Sequence, residues 1–231
     1  MVSKLMAERS KRLSRVSKQL ARDFPEAECE LTHNSAFQLL IATILSAQST
    51  DVGVNKVTPK LFKKYPTPEK LAAAKQGEVE KLIGSLGLFR GKAERIIKCA
   101  QSIVADFDGE VPTEREDLVS LSGVGRKTAN VVRSVAFDLP GLPVDTHVKR
   151  ITGLLDLTDH EDPVKIEEQL CDLFSPEDWG DFSLRVILHG RSTCKARKPL
   201  CGECSIEDLC PSSLLVEAEK FDPKDNIDPE T

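Results

Sequence analysis

Apolar residues recur at intervals of three and four in one segment after another, and the pattern predicts an all-α protein. Met1–Asp23 places Leu5, Leu13, Val16 and Leu20 among many lysines and arginines, as a basic amphipathic helix does. Phe37–Gln48 is apolar almost all round, the pattern of a buried central helix. Val52–Tyr65, Pro68–Ala74 and Gly77–Leu82 read as three short helices, punctuated by Pro59, Pro66, Pro68 and Gly77. A loop carrying Gly84, Gly87 and Gly91 leads into a helix over Lys92–Asp106. Glu116–Leu121 closes a short helix, with Thr113 and Glu116 spaced as a capping box. Arg126–Phe137 follows, its Ala129, Val132, Val135 and Ala136 at helical spacing. Beyond it, a helix starts near Asp145, Pro163–Phe174 is amphipathic, and Phe182–Gly190 forms another helix.

Composition narrows the class. The 231 residues are 40% hydrophobic, enough for a sizeable core, and only 5% aromatic. No apolar run reaches the ~18 residues of a membrane span, and no signal-peptide pattern is present. The chain is therefore expected to work without a membrane. Formal net charge is −5, which taken whole argues against a nucleic-acid partner. The charge is uneven, however: residues 1–22 hold seven Lys or Arg against one Glu, and residues 216–231 six Asp or Glu against two Lys. Local charge decides binding to DNA, so basic surfaces are expected elsewhere, with an acidic, mobile tail over 212–231. The basic first helix also has the composition of a mitochondrial transit peptide.

Between the helices at 116–121 and 126–137 stands Ser122-Gly123-Val124-Gly125. Two glycines let the backbone reach positive φ without steric cost. A helix that begins there presents amide N–H groups to an anion, helped by the helix dipole. An ordinary αα-hairpin with glycines for its bend fits as well. A second cluster is Cys194-x6-Cys201-x2-Cys204-x5-Cys210, followed by Pro211. Four cysteines so close, in a chain without a secretion signal, point to metal rather than disulfides. Zinc sites usually come as two paired short spacings. One short spacing between gaps of six and five suits the four corners of a [4Fe–4S] cluster. Lys195, Arg197 and Lys198 lie between the first two of these cysteines. Cys29, Cys99 and Cys171 read as small buried residues, and His189 as a buried, satisfied histidine.

LSGVGRKTA followed by PVDTH resembles the helix-hairpin-helix and Gly/Pro–Asp motif of base-excision DNA glycosylases. With Lys127, it is similar to the bifunctional endonuclease III family, and the cysteine spacing matches that family's cluster loop. The resemblance runs from about Ala27 to Pro211. It implies two helical lobes, one over 29–139 with the hairpin, the other joining 1–28 to 140–211 with the cluster. Lys127 and Asp145 are expected to meet in the cleft between them. The implied reaction removes a damaged base, an oxidised pyrimidine above all. Lys127 attacks the sugar carbon C1′, a Schiff base forms, and β-elimination cuts the strand. The amine must lose its proton first. The first turn of a helix disfavours the cation by only about 0.3–1 kcal/mol, so desolvation is expected to do much of the rest. Asp145 is implied to assist the nucleophile and stabilise positive charge on the sugar. It can also cap the helix that follows, and both readings are kept.

The resemblance further places Gln48 in the base stack, where the residue could otherwise be mere capping for the helix behind it. Leu88 is implied to be an apolar wedge, against the alternative of a hydrophobic staple. Phe89 stands where the family often has Tyr. Gly123, Val124 and Gly125 are implied to grip phosphate, and Lys195, Arg197 and Lys198 to meet the DNA backbone. The partner is double-stranded DNA with damaged bases or abasic sites, bound by a monomer in a bacterial cytoplasm. Two rivals remain. A mismatch adenine glycosylase shares both motifs but typically lacks the lysine and adds a long C-terminal domain. A passive helix-hairpin-helix binder would do no chemistry.

Overall fold

The structure, a computed structural model, describes residues 2–215, and every regular element among them is helical. The chain divides into two compact units, Glu28–Pro143 and Met1–Ala27 together with Val144 onward. The acidic segment expected over 212–231 lies, beyond Leu215, outside the described residues.

The first unit is built around α2 (Ala36–Ser46), whose Leu39, Leu40, Ile41, Ala42 and Leu45 are fully buried. Burial on all sides explains its apolar composition. Ser35 caps it by accepting from the Gln38 amide at 3.2 Å. Around it pack α3 (Asp51–Lys64), α5 (Gln76–Ile83), α6 (Phe89–Asp106) and α8 (Arg126–Ala136), with α4 (Pro68–Ala72) laid on α6 and α7 (Arg115–Ser120) on α8. Thr50 and Thr67 cap α3 and α4 through their hydroxyls.

Two expectations need correction here. The capping box at Thr113 does not form: Glu114 is the N-cap of α7 and makes no side-chain cap bond. Instead, the Arg133 guanidinium holds the Thr113 carbonyl. The helix starts one residue later than the capping-box spacing requires. Helix α6 begins at Phe89, three residues early, because Leu88 takes a left-handed conformation (φ 57°) and starts the helix behind it. Lys92 is then an interior residue of α6 and is buried.

The second unit packs α1 (Val2–Asp23) on α11 (Trp179–Ser192), and α11 on α9 (Thr146–Leu154), with α10 (Pro163–Cys171) alongside in sequence. Leu13, Val16 and Leu20 of α1 are buried as the periodicity predicts, but Leu5 is exposed. Three of the basic residues of α1 are engaged by the rest of the unit. Arg9, 5% exposed in its side chain, donates to Asp156 Oδ1 at 3.1 Å. Arg12 donates to the Leu155 carbonyl at 2.7 Å and to Asp156 Oδ2 at 3.0 Å, and Arg15 pairs with Asp208 at 2.9 Å. Arg9 and Arg12 hold the C-terminus of α9, where exposed carbonyls and a left-handed Asp156 (φ 49°) await donors. No helix among the described residues is long and apolar enough to cross a membrane.

Candidate functional site

In the first unit, three turns meet the N-terminal half of α6, and each contains a residue with positive φ. Gln48 (φ 54°) follows α2, Leu88 (φ 57°) opens α6, and Gly123 (φ 82°) lies between α7 and α8. Leu88 is 64% exposed, and Gln48 is exposed too. A large apolar side chain held out on a left-handed residue is an unusual expenditure of stability. A Cβ on Gly87 would lie 4.0 Å from the Gln48 carbonyl oxygen, so the first two turns abut. A Cβ on Gly123 would lie 3.2 Å from both Arg95 Cβ and Ile44 Cγ2, so the third turn rests on α6 and α2.

The two hairpin glycines are not alike. Gly123 needs its positive φ and its missing side chain. Gly125 has φ −101° and nothing within 4 Å of a Cβ placed on it. Val124 between them is buried in the core, and its amide donates to the Leu121 carbonyl at 3.1 Å. That amide is therefore already engaged within the turn. No side chain caps α8, which starts behind Gly125. Lys127 stands in the first turn of that helix and is exposed. The first unit by itself therefore does not supply the desolvation expected for its amine.

Asp145 is built differently. It is the N-cap of α9, and Oδ1 accepts from the amides of His147 and Val148, both at 2.8 Å. The second oxygen is also engaged: His147 Nδ1–H donates to Oδ2 at 3.1 Å. The carboxylate, 13% exposed, is thus fixed by three donors, two from His147 and one from Val148. His147 does not stand out in the sequence, although a His two residues after an N-cap Asp is placed to reach back. Gly190 holds the ring from behind, since a Cβ there would lie 2.9 Å from His147 Cδ2 and 2.8 Å from Ile151 Cδ1. Lys127 belongs to the first unit and Asp145 to the second.

The four cysteines of the second unit converge. Cys194 follows α11, Cys201 opens the 3₁₀ turn Cys201–Glu203, Cys204 ends it, and Cys210 follows the 3₁₀ turn Glu207–Leu209. All four border one cavity of about 260 Å³, walled mainly by Ile151, Leu154, Pro199, Leu200 and Ile206. No three Cys, His, Asp or Glu among the described residues are spaced to share a single ion. Four thiols around a cavity, none grouped for one ion, fit a group larger than an ion, which a cubane cluster is. Burial pushes the Cys204 and Cys210 thiols up, and the neighbouring cysteines add to it. An iron centre supplies the positive charge that makes thiolates favourable there. Arg150 braces the loop, donating to the Cys194 carbonyl at 2.7 Å. His189 is buried at the cavity wall, its Nε2 3.8 Å from Cys204 Sγ, and burial pushes its imidazole down. Lys195, Arg197 and Lys198 are all exposed on the loop. Of the other cysteines, Cys99 is buried, its thiol pushed up to about 12 by burial, while Cys29 and Cys171 are only partly buried.

Comparison with known proteins agrees with this arrangement. Residues 41–176 match the HhH-GPD superfamily of base excision DNA repair proteins, and residues 194–210 match the iron–sulfur binding domain of endonuclease III. Endonuclease III of Synechocystis is 50% identical over 209 residues, covering 90% of this chain and 95% of that protein. A non-covalent endonuclease III–DNA complex superposes with a TM-score of 0.85 at 41% identity, covering 90% of this chain and 98% of the other. A trapped covalent endonuclease III–DNA intermediate superposes with a TM-score of 0.84 at 42% identity and the same coverage. The chain belongs to the endonuclease III family, the DNA glycosylase and abasic-site lyase branch of the HhH-GPD superfamily, and it carries a [4Fe–4S] cluster.

Proposed function

We propose that Lys127 is the nucleophile of this enzyme and that Asp145 acts with it on one deoxyribose. The observation that carries the reading is the start of α8: an exposed lysine in the first turn of an uncapped helix, directly behind a glycine turn. Such an end attracts a phosphate oxygen and so brings a nucleotide's sugar to the amine. DNA closing over Lys127 removes the water that the free protein leaves there, which favours the neutral amine. The amine then forms a bond to C1′ as the bond to the base breaks, and the base leaves with its electron pair and takes up a proton. Ring opening gives the imine. Loss of the C2′ proton moves electrons into the sugar chain and breaks the bond to the 3′ phosphate oxygen. Asp145, held by three donors, stabilises the positive charge that develops on the sugar.

Gln48 and Leu88 enter the stack from the two abutting turns and fill the space of the extruded nucleotide, offsetting part of a cost of a few kcal/mol. Gly123, Val124 and Gly125 form the turn that meets the phosphates, and Lys195, Arg197 and Lys198 add charge against the backbone. The substrate is double-stranded DNA with oxidised pyrimidines or abasic sites, bound by a monomer at the nucleoid of a bacterial cytoplasm. Borohydride reduction in the presence of abasic DNA tests the core of this: native protein is expected to give a covalent complex and Lys127→Ala none. A trapped Lys127→Ala complex would assign the chemistry to another amine. A panel of duplexes with single oxidised or mismatched bases then reads the lesion range.

A further inference from the structure

Lysine is almost never fully buried without a partner, yet Lys92 in α6 is 1% exposed. Its Nζ donates to Ser49 Oγ at 2.6 Å. Burying an ammonium is costly, and an apolar side chain of the same length would serve stability at least as well. Burial, and then the nearby Arg95 guanidinium, push the pKa of this amine down. A group kept at such a cost has a purpose other than holding the core together.

Its two attachments show what that purpose is. The Lys92 amide donates to the Leu88 carbonyl at 3.1 Å, and its side chain reaches Ser49, the residue after Gln48. Both turns carry a non-glycine residue at positive φ, Gln48 at 54° and Leu88 at 57°, a conformation the surroundings must enforce. Arg95, one turn further along α6, supports the third turn at Gly123. We infer that Lys92 is a positioning residue that locks the Gln48 turn to the Leu88 turn, so that both side chains enter the duplex as one rigid body. The inference rests on the reading of Gln48 and Leu88 as the residues that penetrate DNA.

The test uses full-length, cluster-loaded protein and a duplex with a tetrahydrofuran abasic analogue opposite 2-aminopurine, whose fluorescence rises on unstacking. Lys92→Met keeps the buried stem and removes the donor; Ser49→Ala removes the acceptor and leaves Lys92 in place. Each is expected to lower the preference for this duplex over an undamaged one by about tenfold, with a smaller fluorescence rise, and the double variant to be no worse than either. Cleavage of a single-stranded abasic oligonucleotide, which needs no intercalation, is expected to stay at the native rate. Gln48→Ala and Leu88→Ala are expected to be non-additive in the native background and additive in Lys92→Met. If Gln48→Ala and Leu88→Ala weaken binding but Lys92→Met and Ser49→Ala do not, the positioning role is wrong and the wedge reading survives. If Gln48→Ala and Leu88→Ala leave binding and fluorescence unchanged, the wedge reading fails and takes this inference with it. Equal loss on duplex and single-stranded substrates would show general damage to the fold and also overturn it.

Discussion

Helices α8 and α9 begin in opposite ways. At α9 the Asp145 carboxylate accepts two backbone amides and an imidazole N–H, so the N-terminus carries its own anion and is stabilised by about 0.5–2 kcal/mol relative to an uncapped end. At α8 the N-cap is a glycine, which has no side chain to accept from the first turn. That stabilisation is forgone. The difference teaches that an unfilled helix terminus can be as deliberate as a filled one: on the proposed reading α8 leaves its dipole for an external anion, whereas α9 uses its own to orient a carboxylate.

The largest effect should come from Lys127. Replacing it with Ala removes the nucleophile but no packing, so base excision should fall by about three orders of magnitude or more, with melting temperature and DNA affinity nearly unchanged. A comparable loss of affinity would turn Lys127 into a binding residue and blur the contrast.

Next comes Asp145→Asn. Asn caps as well as Asp, so stability should hold while turnover falls by about 10²–10⁴-fold. Near-native turnover would reduce this end of α9 to a cap. Third is the neutral triple variant of Lys195, Arg197 and Lys198, which should flatten the salt dependence by roughly 0.9 for each phosphate no longer neutralised, while iron content stays at about four atoms. An unchanged slope would leave the α8 terminus as the main phosphate anchor.

The two hairpin glycines give a smaller but sharper result. Gly123→Ala forces a side chain into a positive φ and against Arg95 and Ile44, and should cost about 1–2 kcal/mol in denaturant unfolding. Gly125→Ser meets nothing and caps α8, so it should gain a few tenths of a kcal/mol while weakening DNA binding, because the serine oxygen takes the amides. Gly125→Ser with undiminished affinity would break the comparison. The smallest effect lies at the other end of α9. Burial alone would raise the Asp156 carboxyl, but hydrogen bonds from Arg12 and Arg9 outweigh it and hold it below its usual value. A carboxyl depressed in the folded state contributes stability that is complete above its unfolded pKa and is lost as pH falls through the folded one. Native protein should therefore lose stability more steeply than Asp156→Asn as pH is lowered below about 4, read as melting temperature against pH.

The chain's pattern made the helices legible because the core is simple: α2 is buried on all sides, and α1 presents Leu13, Val16 and Leu20 to one side. The glycine turn and the cysteine spacing were legible because each is a local device. What could not be read is tertiary. A lysine in a helical pattern reads as surface, so Lys92 was invisible until Ser49 came within 2.6 Å. The arginines of α1 read as a basic face, and only the fold brings Asp156 to Arg9 and Arg12. Thr113 and Glu116 had the spacing of a cap, but α7 starts one residue later, and Arg133, twenty residues away in sequence, holds the Thr113 carbonyl. The grip of His147 on Asp145 was within reach of the sequence, since both residues lie in one turn.

The partition of the chain into Glu28–Pro143 and a unit made from both flanks has a consequence for synthesis. Helix α1 leaves the ribosome well before its partners: Ser10 bonds the Leu173 carbonyl, 163 residues later, and Arg15 bonds Asp208, 193 residues later. At translation speeds of about 5–20 residues per second, α1 waits roughly ten to forty seconds for these partners. The continuous unit can close its core during that wait, with α1 hanging as a solvated, charge-rich leader that resists premature collapse. The thiols of the cysteine loop emerge after the whole continuous unit, so that unit has time to fold before an iron centre can be delivered to the loop.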